Sequence, residues 1–153
     1  MENWEIEARE RCRDTLARYT HSGDRFLMDA FVATFVDDGV LEIRGEAPIE
    51  GRAAILARFS APRSGGDDRE KTPGPTIVRH NVTNVLFEEL SPTEAVVASY
   101  FTVFTDVGLD HMGRYRDRMI PVEDRWLLAH RFVSVDWLAP ESQFGGQIPP
   151  KSG

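Results

Sequence analysis

The chain has 153 residues, a net charge of −7 at pH 7 and an isoelectric point near 5.1. An acidic chain without a run of lysine or arginine lacks the basic surface of nucleic-acid-binding proteins, so no nucleic-acid partner is expected. No apolar stretch approaches the roughly 20 residues that span a bilayer, so no membrane association is expected. With Cys12 as its single cysteine and no signal-peptide pattern in its acidic N-terminus, the chain is expected to be cytoplasmic.

Three helices are predicted in the first 60 residues. The first covers residues 4–20, where apolar residues spaced by four and three form one stripe: Trp4, Ala8, Cys12, Leu16 and Tyr19. Ser22, Gly23 and Asp24 then interrupt it with turn and cap residues. A second helix ends at residues 37–39, and its expected core residues are Phe26, Phe31, Val32 and Phe35. A short strand at 40–43 precedes a third helix at 53–59.

The second half of the chain has the twofold periodicity of strands. Residues 61–75, rich in Pro, Gly and charge, are typical of a mobile loop. Four strands follow, at residues 77–88, 95–105, 111–122 and 125–137. Helices followed by a strand meander predict one α+β domain over residues 1–138, with a mainly antiparallel sheet. The tail, residues 139–153, is rich in Pro, Gly and Gln and is expected to be poorly ordered.

Asp24 and His80 are the two residues most suggestive of chemistry. Histidine titrates near neutral pH, and a carboxylate that orients its imidazole makes it a competent general base. Each residue also has a purely structural interpretation. Asp24 precedes the second predicted helix and is suited to cap it, and His80 is equally consistent with a buried histidine of the core. The sequence leaves both alternatives open.

Six segments in chain order resemble the SnoaL-like families of the nuclear transport factor 2-like superfamily, over roughly residues 5–138. The segments are residues 16–19 leading to Asp24, then 35–40, 51–55, 79–84, 113–117 and 126–137. The resemblance implies a cone, in which three N-terminal helices wrap a curved sheet around a pocket. Families of this kind include scytalone dehydratase, polyketide cyclases, a dehydrochlorinase, ketosteroid isomerases and β subunits of ring-hydroxylating dioxygenases, so the fold does not settle the function.

The resemblance also implies a site. In scytalone dehydratase and the dehydrochlorinase, an aspartate at the position of Asp24 pairs with a histidine at that of His80. Two departures argue against a scytalone-like substrate. Scytalone dehydratase has a tyrosine immediately before its aspartate, where this chain has Gly23, and a second pocket histidine on the strand predicted at 95–105, which has none here.

Alternation along the strands supplies further candidate substrate-binding residues. His80 and Asn84 share one face of their strand, and Tyr115 and Asp117 share one face of theirs. The arginines at 114, 116 and 118 occupy the opposite face, where surface ion pairs are expected. His111, near a turn, is a candidate for the pocket rim. Tyr19, in the segment that leads to Asp24, is a further candidate.

The sequence therefore predicts a cofactor-independent dehydratase, isomerase or cyclase that acts on a small hydrophobic, oxygenated or cyclic metabolite. His80, oriented by Asp24, is the expected base, while Tyr115 and Asn84 are expected to polarise a substrate oxygen. No metal site is expected, because the histidines lack ligand spacing. The alternative is a non-catalytic binding or assembly module resembling a dioxygenase β subunit. In either case the resemblance implies a homodimer or homotrimer.

Overall fold

A computed structural model describes residues 1–60 and 74–144, in which three helices pack on one six-stranded sheet. The elements in chain order are α1 (Asn3–Asp24), α2 (Met28–Val32), β1 (Phe35–Ile43), β2 (Ile49–Glu50), α3 (Arg52–Ser60), β3 (Val78–Leu90), β4 (Ala95–Thr105), β5 (Gly108–Val122) and β6 (Arg125–Leu138). The predicted α+β class is confirmed. Most of the predicted loop (61–73) and most of the predicted tail (145–153) lie outside the described residues.

The strand order is β2-β1-β6-β5-β4-β3. The strands β3 to β6 form the predicted antiparallel meander, and β1 joins it by pairing in parallel with β6. The short strand β2, which was not predicted, pairs with β1 at the sheet edge. Helix α1 packs against β3 and β6, so the face of the sheet that it covers becomes the interior of the domain.

The interior face is built in rows, because alternate residues of β4 and β5 are buried and pair across the sheet. One row joins His80, Val103 and His111 across β3, β4 and β5. Deeper rows pair Ser99 with Tyr115 and Asp117 with Arg131. Residues that were predicted from separate strands therefore lie on one continuous surface.

Helix α1 begins with a capping box between Glu2 and Glu5 and turns the predicted stripe towards the sheet. Within that stripe Cys12 is wholly buried, and burial raises the pKa of its thiol to about 12. The expectation that Cys12 serves packing is thus confirmed, since a thiol this weakly acidic supplies almost no thiolate. Among the helices in the described ranges, none combines the length and apolar character needed to cross a membrane.

The first helix is longer than predicted and includes Asp24. The hydroxyl of Ser22 donates to the backbone carbonyls of Arg18 and Tyr19, at 2.5 and 3.2 Å, so it bonds within the helix instead of ending it. Gly23 continues the helix, and a side chain there would come within 3.4 Å of the Phe31 ring. The predicted end at residue 20 is therefore wrong, because two turn-forming residues are accommodated inside a helix.

The second helix is shorter than predicted. Phe26 has a φ of 57° and is 68% exposed, so it lies outside helix α2 and outside the core, contrary to the prediction. The hydroxyl of Thr34 donates to the carbonyl of Phe31 at 2.6 Å where the helix ends. Phe35 then begins β1, and residues 37–39 form a register shift inside that strand instead of a helix end.

Candidate active site

The structure brings Asp24 and His80 together, although 56 residues separate them in the sequence. Nδ1 of His80 lies 2.5 Å from one carboxylate oxygen of Asp24. The backbone N–H of His80 donates to the other oxygen at 2.9 Å. The two contacts fix the carboxylate from both sides, so the imidazole has a defined orientation. Its Nε2 is left for a ligand, since the carboxylate occupies Nδ1.

Helix α1 and strand β3 position this pair. Asp24 is the last residue of α1, and its side chain is only 8% exposed, whereas that of His80 is 25% exposed. The alternative in which Asp24 caps the next helix is wrong, because the N-cap of α2 is Leu27 and no side chain caps it. The carboxylate is instead directed at the strand that carries the histidine.

A second histidine forms a similar pair beside the first. Nδ1 of His111 lies 2.7 Å from a carboxylate oxygen of Asp110, and both side chains are almost fully buried. The rings of His80 and His111 stand edge to face, with centroids 6.5 Å apart. The two imidazoles thus have their Nδ1 atoms held by separate carboxylates, which leaves both Nε2 atoms outside these contacts.

Asp110 is bonded from several directions. It accepts hydrogen bonds from the hydroxyls of Thr105 and Ser142, at 3.2 and 2.6 Å, and from the backbone N–H of Gln143 at 2.9 Å. Burial alone would raise the pKa of Asp110, but its hydrogen bonds with Ser142, His111 and Gln143 together hold the pKa below the usual 3.8. Asp110 is therefore ionised near neutral pH, and it ties the first residues of the tail to β5.

His111 is neutral near pH 7 for a related reason. Burial lowers its pKa below the usual 6.5, and the hydrogen bond from its ring to Asp110 offsets only part of that effect. Because the ionised carboxylate accepts a hydrogen bond from Nδ1, the proton of the neutral ring resides there. Nε2 then carries a lone pair, which can accept a proton or a hydrogen bond from a ligand.

The lowered pKa of His111 predicts a loss of stability in mild acid. As the pH falls below about 6.5, the unfolded chain protonates this histidine before the folded protein does, so protonation favours unfolding. The loss of stability attributed to His111 grows until the pH has fallen to the pKa of His111 in the folded protein. Below that pH it grows no further. We expect the thermal midpoint to fall between about pH 7.5 and pH 5, and to fall less in His111→Gln.

Differential scanning fluorimetry across this pH range measures the effect. The matched control is His21→Gln, at an exposed position near the end of α1, which should retain the pH dependence of the parent protein. The same pH dependence in the parent protein and in His111→Gln would contradict the assignment.

Tyr115 shares the interior face of β5 with His111, and Tyr19 of α1 packs against Tyr115. The Tyr115 ring stacks on Phe101 at 4.4 Å between centroids, and Phe101 in turn lies 6.1 Å from the His111 ring. Tyr19 lies 6.1 Å from Tyr115. Burial raises the pKa of both tyrosines, so both hydroxyls stay protonated and able to donate. Both residues are buried in the interior, and their role in substrate binding stays a prediction.

Asp117 shares this interior face with Tyr115 but is already bound. Both of its oxygens accept hydrogen bonds from Nε and Nη2 of Arg131, each at 2.8 Å, and both side chains have no exposed surface. Burial opposes the charged form of Arg131, but the neighbouring Asp117 carboxylate keeps the pKa of Arg131 above its ordinary value. The geometry does not support the predicted role of Asp117 in substrate binding, because Arg131 occupies both of its carboxylate oxygens.

Asn84 does not lie beside His80 as the alternation predicted. The pairing of β3 with β4 shifts register between Thr83 and Leu86, and Asn84 within that bulge has a φ of 53° and is exposed. The inserted residue reverses the faces of the strand, so Leu86 is 60% exposed while Phe87 packs against the core. The predicted shared face of His80 and Asn84 is wrong for this reason.

Within residues 1–60 and 74–144, no three side chains of His, Cys, Asp or Glu converge as metal ligands would. Two surface depressions, of about 400 and 290 Å³, lie away from His80 and His111. The larger is lined by residues that include Trp4, Pro121 and Trp126, and the smaller by Arg116, His130 and others. Neither includes His80 or His111.

The SnoaL-like domain family matches residues 4–132. The chain belongs to this SnoaL-like family. No curated protein gives a significant match to the sequence.

Solved structures share the fold of this SnoaL-like domain at low sequence identity. A Novosphingobium aromaticivorans protein provisionally named scytalone dehydratase has a TM-score of 0.75 at 16% identity, covering 91% of each chain. An NTF2-like protein with a cystatin-like fold from the same organism has a TM-score of 0.71 at 20% identity, over 90% of this chain and 88% of that one.

A third structure from N. aromaticivorans is provisionally named the β subunit of an aromatic-ring-hydroxylating dioxygenase. Its TM-score is 0.68 at 18% identity, covering 90% of this chain and 94% of that one. At these identities the likeness establishes the nuclear transport factor 2-like fold and leaves the chemistry to the residues of this chain.

Proposed function

We propose that this protein is a cofactor-independent lyase or isomerase that removes a proton from carbon next to a carbonyl group. The observation that carries the proposal is the Asp24–His80 pair, with its 2.5 Å contact to Nδ1 and its second anchor on the backbone. A carboxylate on Nδ1 stabilises the imidazolium that forms when Nε2 accepts a proton. The fold shared with the protein named scytalone dehydratase is compatible with such chemistry.

The proposed step begins with His80. Its Nε2 takes the proton from carbon, and the electron pair of the C–H bond moves into an enolate whose oxygen is the former carbonyl oxygen. In a dehydration, a hydroxyl group on the next carbon takes up the proton from His80 and leaves as water, while the electron pair of the enolate forms the new C=C bond. In an isomerisation, the proton returns to a different carbon. His111, 6.5 Å from His80 between ring centroids, supplies a second acceptor that can hold a substrate hydroxyl.

The substrate class follows from the surroundings of the two histidines. Phe101 and Phe144 lie next to the His111 ring, and Tyr115 and Tyr19 extend this aromatic cluster beyond Phe101. Such walls suit a small hydrophobic metabolite, with polar groups only at the reacting end. We therefore propose a cyclic or aromatic carbonyl compound as substrate.

Hydrogen exchange into heavy water tests the proposal without knowledge of the natural substrate. We expect the protein to accelerate exchange of the protons next to the carbonyl in neutral fused-ring ketones, followed by proton NMR. His80→Ala is expected to lower that rate by about 10²–10⁴-fold, the usual contribution of a general base. His21→Ala, at an exposed position on α1, is the matched control and should exchange at the parental rate. An undiminished rate in folded His80→Ala would reject the base.

The alternative is a non-catalytic binding or assembly module, as the likeness to a protein named as a dioxygenase β subunit suggests. The feature that favours it is the outer face of the sheet. Several large apolar side chains are exposed there: Tyr100, Phe104, Met112 and Trp137. The same face carries surface ion pairs, which join Arg114 to Asp136, Arg116 to Glu88 and Arg118 to Glu94.

We propose that this face joins copies of the chain in a dimer or trimer. Analytical ultracentrifugation of the purified protein tests the oligomeric state.

A further inference from the structure

A groove far from His80 takes no part in the proposed base chemistry. It is the larger of the two surface depressions, about 400 Å³ in volume. Trp4, which lines it, lies in the first turn of α1, whereas Asp24 is the last residue of that helix, so about 30 Å of helix separates the groove from the Asp24–His80 pair. Volumes of this order are typical of sites that bind small molecules.

Three parts of the chain build the groove. Residues 4, 7, 8 and 11 form one stripe along α1, because residues three and four apart are neighbours on the surface of a helix. The turn between β3 and β4 contributes Pro92, and the hairpin of β5 and β6 contributes Pro121, Glu123, Asp124 and Trp126. The hydroxyl of Thr15 donates to the backbone carbonyl of Trp126 at 2.5 Å, so α1 and the hairpin are tied together beside the groove.

The walls of the groove are apolar and poor in hydrogen-bond donors. Pro92 and Pro121 have no backbone N–H to offer. The indole N–H of Trp4 donates to the Glu2 carboxylate at 2.7 Å, so it is already engaged. Two of the lining residues, Trp4 and Trp126, are tryptophans, whose rings attract cations more strongly than those of other aromatic residues.

The charge of the groove is negative. Glu7, Glu123 and Asp124 line it, against the single cation Arg11. Arg11 is engaged by Glu7, with Nη2 2.5 Å from a carboxylate oxygen. Glu123 and Asp124 are exposed and make no ion pair with any other described residue. Two carboxylates are therefore left uncompensated next to the tryptophans, on a chain whose net charge of −7 already attracts cations.

We propose that this groove is a binding site for a small organic cation, an ammonium compound with an apolar body. The apolar walls suit the body, while the tryptophans and the two uncompensated carboxylates favour the positive charge. An anion would meet carboxylates and no free cation, since Glu7 holds Arg11. A depression of this volume is the size of a small-molecule site, whereas a stable protein interface buries more than about 1,000 Å².

Choline and 3,3-dimethylbutan-1-ol are the first probes, because they share a shape and differ in charge. Two of the three tryptophans line the groove, and Trp137 lies on the outer face of the sheet as an internal control. In an NMR titration we expect choline to shift the indole N–H signals of Trp4 and Trp126, and to leave that of Trp137 nearly unchanged. Choline is expected to bind with a Kd of about 1 mM, about tenfold more tightly than the alcohol.

Three results would overturn the proposal. The first is equal affinity for choline and the neutral alcohol. The second is a shift of the Trp137 signal as large as those of Trp4 and Trp126. The third is tighter binding of a blocked Ala-Lys-Ala peptide than of choline, which would make the groove a docking site for a basic protein segment instead.

Variants of the hairpin carboxylates test the origin of the selectivity. Glu123→Gln and Asp124→Asn are each expected to weaken choline binding about threefold, and the double variant to abolish the preference over the alcohol. The matched control is the double variant Glu10→Gln and Asp38→Asn, which removes the same charge from exposed positions outside the groove and should retain the preference. An unchanged preference in the folded groove variant would refute the site.

Trp4→Leu tests the aromatic wall, because leucine keeps an apolar side chain at this half-buried position. Choline binding is expected to weaken about threefold, while binding of 3,3-dimethylbutan-1-ol stays the same. Equal losses for both probes would mean that the tryptophan supplies only apolar contact and that the assignment of a cation site is wrong.

Discussion

Replacing Asp24 with asparagine is expected to lower carbonyl-adjacent exchange by about 10²–10⁴-fold while leaving the fold intact. The asparagine oxygen can still accept the backbone N–H of His80, so the end of α1 keeps one anchor on β3. If its NH₂ group then faces the ring, the amide donates to Nδ1, and the imidazole carries its proton on Nε2. A histidine in that form cannot accept a proton from carbon there, so the rate falls without loss of a side chain.

The measurement is the exchange rate of a fused-ring ketone in heavy water, compared with the thermal midpoint of the same sample. Asp14→Asn is the matched control, because Asp14 lies on the same helix in an exposed pair with Arg18. It should exchange at the parental rate. Equal rates for the parent protein and folded Asp24→Asn would mean that the carboxylate does not orient the base.

The second large effect is expected from Asp117→Asn, which leaves Arg131 charged, buried and short of one ionic partner. Breaking a fully buried ion pair in this way usually costs about 3–5 kcal/mol of folding free energy. For a domain of this size the loss corresponds to roughly 10–15 °C in the thermal midpoint. Urea titration and scanning calorimetry give the free energy of unfolding and the midpoint directly.

The matched control for Asp117 is Asp136→Asn, which breaks a comparable two-bond pair with Arg114 on the exposed face. The Arg114 contacts are 2.9 and 3.0 Å, but water surrounds them, so this change is expected to cost about 1 kcal/mol or less. Replacing both members of the buried pair, with Asp117→Leu and Arg131→Met, should recover much of the stability. Similar losses for Asp117→Asn and Asp136→Asn would refute the argument.

The strands of the second half could be predicted because each carries a strong local signal. Burial alternates along β4 and β5 with the predicted twofold period, although β5 also buries Asp110, His111 and Asp117. The first helix was recognisable for the same reason. Its end was not, because Ser22 and Gly23 usually mark a turn and here continue a helix that packs on Phe31.

Asp110 is the site residue that the sequence did not indicate. In a regular strand, neighbours point to opposite faces, so an aspartate directly before His111 is expected on the other side of the sheet. The pairing of β4 with β5 shifts register here, since Val103 opposes His111 while Phe104 opposes Leu109. The extra residue in this bulge allows Asp110 and His111 to be buried together.

Arg131 also escaped prediction, because an arginine in a strand is normally a surface residue. Its burial depends on Asp117, which stands opposite it across β5 and β6, and on Tyr19 from a helix more than 100 residues earlier in the chain. No local pattern indicates such a pairing, since it needs two strands in register and a helix above them.

The sequence by itself determined the class of fold, the family, the proposed base His80 and its partner Asp24. Periodicity and residue type suffice for these, because both can be read over short distances along the chain. Only the tertiary structure decided which side chains face the same interior. It joined Asp24 to His80, brought Asp110 under His111 and turned Asn84 outwards. The reason is physical: a single extra residue in a strand reverses every face beyond it, and strand pairing, not local composition, sets where that residue lies.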